Sequence, residues 1–247
     1  RFQQAGYRTG YLGKYINEYG AIAPYIPPGW NDTVIYAGGS FNSFTVSRNG
    51  VIEKVSEYVT DFLNTEALSF IASACPDTCP QPFFLVVGER APHRPATYAP
   101  RHAALFTDFL YRGRGYNESD VTDKPLYFQA RAGDWSYGQD DAFHVDYLRS
   151  LRAVDESVAA VITDLETRGL LDSTVIVFTS DNGMLWGEHK LTDKMKPYEE
   201  SVRVPLVIRA PGYSPAAIPA LVVADIDLPP TLLELAGLPD MGGDGTS

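Results

Sequence analysis

Val175-Ile176-Val177-Phe178-Thr179-Ser180-Asp181-Asn182-Gly183 decides the fold class of this chain, and the residues from there to Arg203 decide where its chemistry lies. The first five are apolar or β-branched and of strand length, without the alternation of a half-exposed edge, so they read as a buried strand. Such a strand delivers the residues after it to the mouth of a sheet, where open α/β folds place their ligands. Here those residues are a carboxylate beside a carboxamide, Asp181 and Asn182, with Gly183 relaxing the backbone. Paired oxygen donors of this kind suit a hard divalent cation such as calcium. Lys194 supplies a point charge for an anion, and Tyr198 and Glu199 come soon after it. Asp-Asn-Gly by itself is also a common turn, so its surroundings have to decide.

Working outward, helices and apolar strands alternate. Val55, Val59, Phe62, Glu66 and Phe70 repeat at helical spacing with only Glu66 off-pattern, predicting a helix from Glu57 to Ser73 that ends before Pro76. Phe83-Phe84-Leu85-Val86-Val87 is a second strand. A longer helix is predicted from Phe143 to Arg168, with Val145, Leu148, Leu151, Val154, Val158, Val161, Ile162 and Leu165 as its apolar stripe and Gly169 as its stop. Pro205-Leu206-Val207-Ile208 reads as a further strand, Leu232 to Ala236 as a short helix, and Phe41 to Ile52 as a hairpin around Asn49-Gly50. Tyr111 to Gly138, rich in Gly, Tyr and Asp, has no core pattern and reads as an irregular insertion. The rhythm predicts an α/β fold with a mostly parallel central sheet sandwiched by helices.

The 247 residues, 45% apolar, are enough for one sizeable core. Twenty Lys and Arg against 31 Asp and Glu leave a net charge of -11, which disfavours nucleic acid and anionic membrane surfaces as partners. Runs such as Phe83 to Val87 and Leu221 to Val223 are too short to cross a bilayer. Cys75 and Cys79 are close enough to bridge if Pro76-Asp77-Thr78 turns, and two free thiols are the alternative. Two Asn-x-Ser/Thr triplets, Asn31-Asp32-Thr33 and Asn117-Glu118-Ser119, tilt the reading toward the oxidising secretory route.

The stretch from Thr179 through Gly187-Glu188-His189, Asp193-Lys194, Pro197-Tyr198-Glu199 and Val202-Arg203-Val204-Pro205 to Ala210-Pro211-Gly212 resembles the sulfatases of the alkaline phosphatase superfamily. Three further segments agree in the order that family requires: Ala5 to Thr9 with Gly13-Lys14-Tyr15, then Ala91-Pro92-His93-Arg94-Pro95, then Asp225-Ile226-Asp227-Leu228-Pro229-Pro230-Thr231. Gly13-Lys14-Tyr15-Ile16-Asn17, Pro27-Pro28-Gly29-Trp30 and Ala99-Pro100-Arg101-His102 are most similar to the N-acetylglucosamine-6-sulfatase branch. Family members carry a Cys-x-Pro-Ser/Thr-Arg nucleophile motif upstream of the segment that Gly6 to Lys14 resembles. Cys75-Pro76-Asp77-Thr78-Cys79-Pro80 does not match it. Residues 1–247 are therefore expected to be part of a longer catalytic domain, and inactive in isolation.

The resemblance implies hydrolysis of a sulfate ester, of a sulfated sugar such as glucosamine 6-sulfate or of an aryl sulfate. It implies one calcium ion and a formylglycine made from the upstream cysteine. Lys14 is the implied sulfate-contacting lysine at a strand end, and His93 the implied imidazole that donates to the ester or leaving oxygen. Asp181 and Asn182 are implied calcium ligands and Lys194 the second active-site lysine; Glu199 and Arg203 are read as braces of the loop. The family often places a His two residues after the first lysine, where this chain has Ile16. Two rival readings stand beside this one: a phosphodiesterase or phosphonate hydrolase of the same superfamily, and a noncatalytic sugar-binding chain. A secreted or lysosomal location is expected; oligomeric state is left open.

Overall fold

The computed structural model describes residues 1–129, 141–216, 225–239 and 242–247. In chain order the elements are β1 (Arg8–Gly13), β2 (Asp32–Gly39), β3 (Phe44–Arg48), β4 (Val51–Val55), α1 (Val59–Ala74), β5 (Phe83–Gly88), α2 (Leu126–Gln129) and α3 (Asp141–Thr167). They continue with β6 (Ile176–Phe178), β7 (Leu185–Trp186), β8 (Thr192–Asp193), α4 (Glu199–Val202), β9 (Val207–Arg209) and α5 (Leu228–Leu235). The contacts divide the chain into two compact units, one of residues 1–90, 154–175 and 210–247, the other of residues 91–153 and 176–209.

The first unit is built on a five-stranded sheet in the order β4-β3-β2-β1-β5. β1 is parallel to both β2 and β5, while β2, β3 and β4 run antiparallel. The fold is α/β as the sequence indicates, with a mixed sheet. The hairpin falls where the Asn-Gly pair puts it: Asn49 and Gly50 both have positive φ, 47° and 82°, the combination that matches the twist of the flanking strands. Helix α1 begins later than its periodicity suggests because Val55 belongs to β4. Phe62, Leu63, Phe70 and Ile71 of α1 are buried together with Leu12, Ile35, Phe44 and Val46 of the sheet. Gly10 makes close packing possible, since a Cβ there would lie 2.6 Å from the Phe70 ring. The off-pattern Glu66 has a partner: both its oxygens accept from the Arg48 guanidinium, at 2.7 and 2.8 Å.

Gly169 ends α3 as expected, at φ 68°, with the Leu170 N–H returned to the Leu165 carbonyl. Helix α5 starts four residues earlier than its apolar run, because Pro229 and Pro230 are favourable in a first helical turn. Cys75 and Cys79 form a disulfide just after α1.

The second unit is less regular. The Val175 to Thr179 run supplies β6, which pairs antiparallel with β9, with Val177 opposite Ile208. Phe178, Val207 and Ile208 are exposed rather than buried. An apolar run states how much surface a strand should bury, and the partner is chosen by topology. β7 and β8 form a two-residue ladder, Leu185 opposite Asp193 and Trp186 opposite Thr192. A small apolar cluster of Phe128, Leu185 and Leu191, flanked by Val121 and Tyr198, supports that hairpin. The described part of the predicted insertion holds only α2, a turn of helix, and a bridge from Tyr116 to Glu188; its remainder, with Trp135, lies outside the described residues.

Candidate active site

Lys14 leaves the carboxyl end of β1 at a backbone position that few other sequences would fit. Gly13 has φ 98°, and a Cβ on it would meet the Gly88 carbonyl oxygen at 2.1 Å. That closeness lets the Lys14 N–H donate to the same carbonyl at 2.7 Å, while the Lys14 carbonyl accepts from the Tyr11 hydroxyl at 2.5 Å. Burial, with the neighbouring Tyr15 second, pushes Tyr11 up to about 12, so it remains a donor at any physiological pH. The backbone of Lys14 is thus fixed at the ends of two parallel strands, with a half-buried side chain.

Asp181, Asn182 and Lys194 belong to the second unit. The Ser180 hydroxyl donates to the Asn182 carbonyl at 2.9 Å, and the Asn182 Nδ2 donates to the Gly183 carbonyl at 2.8 Å, which orients the carboxamide oxygen. That oxygen accepts from Lys194 Nζ at 3.0 Å. Gly183 is required here for space: a Cβ would approach the Glu200 carbonyl to 2.2 Å, and its N–H donates to the Ser201 carbonyl at 2.9 Å. The loop is thereby docked on α4. Asp181 is exposed. Burial, and next the Asp181 charge, raise the Tyr147 hydroxyl above its ordinary value, keeping it a donor beside that carboxylate.

His93, also in this unit, is exposed, with its Nδ1 2.8 Å from the Arg94 carbonyl. A carbonyl only accepts, so Nδ1 carries a proton and Nε2 is the ring nitrogen not engaged by that carbonyl. The Arg94 guanidinium lies 3.8 Å from the Phe143 ring centre, Phe143 is 5.4 Å from Trp186, and Tyr147 is 4.9 Å from Trp186. His144 stacks on Trp186 at 4.0 Å and 11°. Trp186 is therefore held in an aromatic cluster that runs from the His93 loop to the neighbour of Asp181. Of the five residues proposed from the sequence, Asn182 and Lys194 touch, Asp181 adjoins them and His93 shares their unit; Lys14 belongs to the other.

Two residues carry weight that the sequence left unassigned. Glu188, 1% exposed, accepts from the Trp186 N–H at 2.6 Å and from the Tyr111 hydroxyl, tying the insertion to the hairpin that precedes Lys194. His189 sits between two carboxylates, with Nδ1 2.7 Å from Glu118 and Nε2 3.9 Å from Glu200. The only signal for either was the Gly187-Glu188-His189 run. Arg203 reaches Glu199 at 3.9 Å with both side chains about three-quarters exposed, 74% and 77%. As a brace that is weak.

A strand-end carboxylate and carboxamide with an ammonium on the carboxamide oxygen place hard oxygen donors and one positive charge side by side. Calcium fits this donor set in kind, because both are hard oxygens, and only in part by number: it takes six to eight oxygens, and no group of three or more His, Cys, Asp and Glu among the described residues is placed to hold a metal. The chain matches the Sulfatase family over residues 1–238 and belongs to it. It is 34% identical to the N-acetylglucosamine-6-sulfatase of Homo sapiens, covering 94% of this chain and 44% of that protein. It is 31% identical to the extracellular sulfatase SULF-1 homolog of Drosophila melanogaster, covering 95% of this chain and 22% of that one. A solved structure containing its substrate D-glucosamine-2-N,6-O-disulfate aligns with TM-score 0.73 at 26% identity, over 100% of this chain and 62% of that chain. The chain thus spans less than half the length of these two relatives.

Proposed function

We propose that the full-length protein, of which residues 1–247 form part of one catalytic domain, hydrolyses the sulfate ester of a sulfated amino sugar of the glucosamine 6-sulfate kind. The observation that carries this reading is the contact of Lys194 Nζ with Asn182 Oδ1 beside the exposed Asp181. Asp181 and Asn182 would be two of the ligands of a calcium ion. Calcium bound there would neutralise charge on the sulfuryl oxygens, and a formylglycine would supply the nucleophile.

The residues of this chain do the rest. Lys194 holds sulfate oxygens by charge, and the role that the resemblance carries over to Lys14, whose backbone is fixed at the strand end, is of the same kind. His93, protonated at Nε2, gives that proton to the departing sugar oxygen. Asn182 Oδ1 has two lone pairs, so it accepts from Lys194 and still faces a cation. The net charge of -11 opposes a long polyanionic chain and favours one terminal sugar held by local positive charge. The Cys75–Cys79 disulfide supports a secreted or lysosomal address.

The test is turnover of glucosamine 6-sulfate, of a chromogenic aryl sulfate and of the matching phosphate mono- and diesters by the full-length protein, with and without calcium. Sulfate release from the sugar that falls on chelation and returns with calcium is the expected result. Preference for a phosphate ester would favour the phosphodiesterase reading, and no hydrolysis at all the sugar-binding one.

A further inference from the structure

The structure assigns Asn31, rather than Asn117, as the residue that carries an N-linked glycan, a proposal that rests on the secretory reading above. Both head Asn-x-Ser/Thr triplets. Their surroundings in the folded chain differ in whether a glycan already attached can be accommodated.

At Asn31 the amide is oriented by the fold. The Thr9 backbone N–H donates to Asn31 Oδ1 at 3.0 Å, and the Thr9 hydroxyl lies 2.9 Å from the same atom. A backbone amide is only a donor, so the atom facing it is the oxygen, and Nδ2 is the outward atom. Asn31 is exposed, and its Nδ2 donates to nothing among the described residues. A glycan on Nδ2 leaves every one of these contacts in place.

The position also suits a bulky substituent. Asn31 immediately precedes β2, whose Asp32 pairs with Gly10 of β1, so it lies near the amino ends of the parallel strands. Lys14 lies beyond the opposite end of β1. The strand rise of about 3.3 Å per residue puts some five residues, roughly 16 Å, between the levels of Thr9 and Lys14. A glycan there stays clear of the lysine.

Asn117 offers the reverse. It is half-buried at φ 51°, and its N–H donates to the Gly187 carbonyl at 2.9 Å. Its neighbour Glu118 is held by His189 and by Lys124 at 3.4 Å. A glycan at that point would crowd the hairpin that precedes Lys194.

In the transfer, Asn31 Nδ2 loses a proton and bonds to C1 of the sugar of a lipid-pyrophosphate-linked oligosaccharide. The C1–oxygen bond breaks and the lipid pyrophosphate leaves with its electron pair. Thr33, whose hydroxyl the transferase must read, is only 2% exposed in the folded chain. The transfer therefore precedes the pairing of β2.

The experiment is secretion of the full-length protein from a eukaryotic host behind the host's own secretion signal, which routes the chain whatever its natural address. Enzymatic glycan release in heavy-oxygen water then marks each occupied Asn for peptide mass spectrometry. Label on Asn31 and none on Asn117 is expected. Asn31→Asp keeps an oxygen for the Thr9 N–H while removing the acceptor amide, so it should be secreted at near wild-type yield with loss of one glycan shift; Asn117→Gln should keep that shift. An unlabelled Asn31, or label on Asn117, overturns the assignment. Failure of the hydrolase reading would be seen separately, as glycosylated protein without sulfate release.

Discussion

The two units differ in what holds them. In the first, β1 is hydrogen-bonded to parallel neighbours on both sides and covered by α1 through Leu63, Phe70 and Ile71. In the second, the ladders are two or three residues long, and the hairpin depends on a three-residue apolar cluster plus the contacts of Glu188 and His189. One relies on apolar burial, the other on oriented polar groups. A scaffold of the first kind resists substitution at polar surface positions and fails when its core is cut. A site of the second kind should tolerate loss of a charge structurally and fail chemically.

The largest expected effect is therefore on turnover. In the full-length protein Lys194→Ala should reduce sulfate hydrolysis by about 10²–10³, the usual consequence of removing one preorganised charge from an anion site. Asp181→Asn should act similarly and weaken calcium dependence, because it keeps the size and turn-forming capacity of the residue while removing a ligand charge. Thermal unfolding of both variants in excess chelator should match wild type. Unchanged calcium dependence in Asp181→Asn would break the ligand assignment and return Asp-Asn-Gly to a simple turn.

A comparable free energy should be lost from the first unit by a change with no chemistry in it. Leu63 is 2% exposed, so Leu63→Ala deletes a buried isobutyl group and leaves a cavity, with an expected cost of about 2–5 kcal/mol. Denaturant unfolding measures it. If turnover per folded molecule also fell a hundredfold, the separation between scaffold and site would not hold.

The same contrast governs how far each unit is legible in the sequence. Periodicity reports apolar burial, so α1, α3, β5 and the Asn49-Gly50 hairpin are readable to within a few residues. The place of the Val175 run is not, because its pairing with β9 rests on which edges meet. Glu66 looks like a flaw in a helix until Arg48 arrives from β3. In the second unit, Asp181, Asn182 and Lys194 are proposed from resemblance and strand-end logic, and the structure brings Lys194 Nζ onto the Asn182 carboxamide oxygen. Glu188 and His189 stay hidden because their partners, Tyr111 and Glu118, lie some 70 residues away in a stretch with no pattern.

A smaller effect belongs to the scaffold and depends on pH. Both carboxylate oxygens of Glu89 are buried without a hydrogen bond of ordinary geometry. Burial, offset in part by the Thr60 hydroxyl and reinforced by the Asp61 charge, pushes the group up from 4.5 to about 8. Between those two values the folded chain holds a proton that the unfolded chain has released. Stability must then fall as pH rises from 4.5 to 8 and level off above. At about 1.4 kcal/mol per unit the full shift is an upper bound near 5 kcal/mol, and relaxation reduces it to a few. Glu89→Gln should flatten this slope and raise the melting temperature at pH 8 while changing little at pH 4.5. A scaffold adapted to an acidic compartment would behave this way. Equal slopes in wild type and variant would remove Glu89 from the explanation.

The smallest effect sharpens the comparison from the other side. Arg203 belongs to the motif segment, and its position suggests a brace on the site loop, yet its nitrogen stands 3.9 Å from Glu199 with both side chains largely in water. An exposed pair at helical spacing gains little, because water screens the charges and two long side chains lose rotamer freedom. The loop has better anchors: the Gly183 N–H on the Ser201 carbonyl and the Lys194–Asn182 contact do not involve Arg203. Arg203→Ala should accordingly shift stability by no more than about 0.5 kcal/mol, with the change reduced further in high salt. Chemical denaturation at two salt concentrations measures this, and turnover of the same variant reads any role in binding substrate. A salt-insensitive loss of several kcal/mol would mean that the guanidinium braces the loop through contacts stronger than the Glu199 pair, and the contrast between a packed scaffold and a sparsely anchored site would need redrawing.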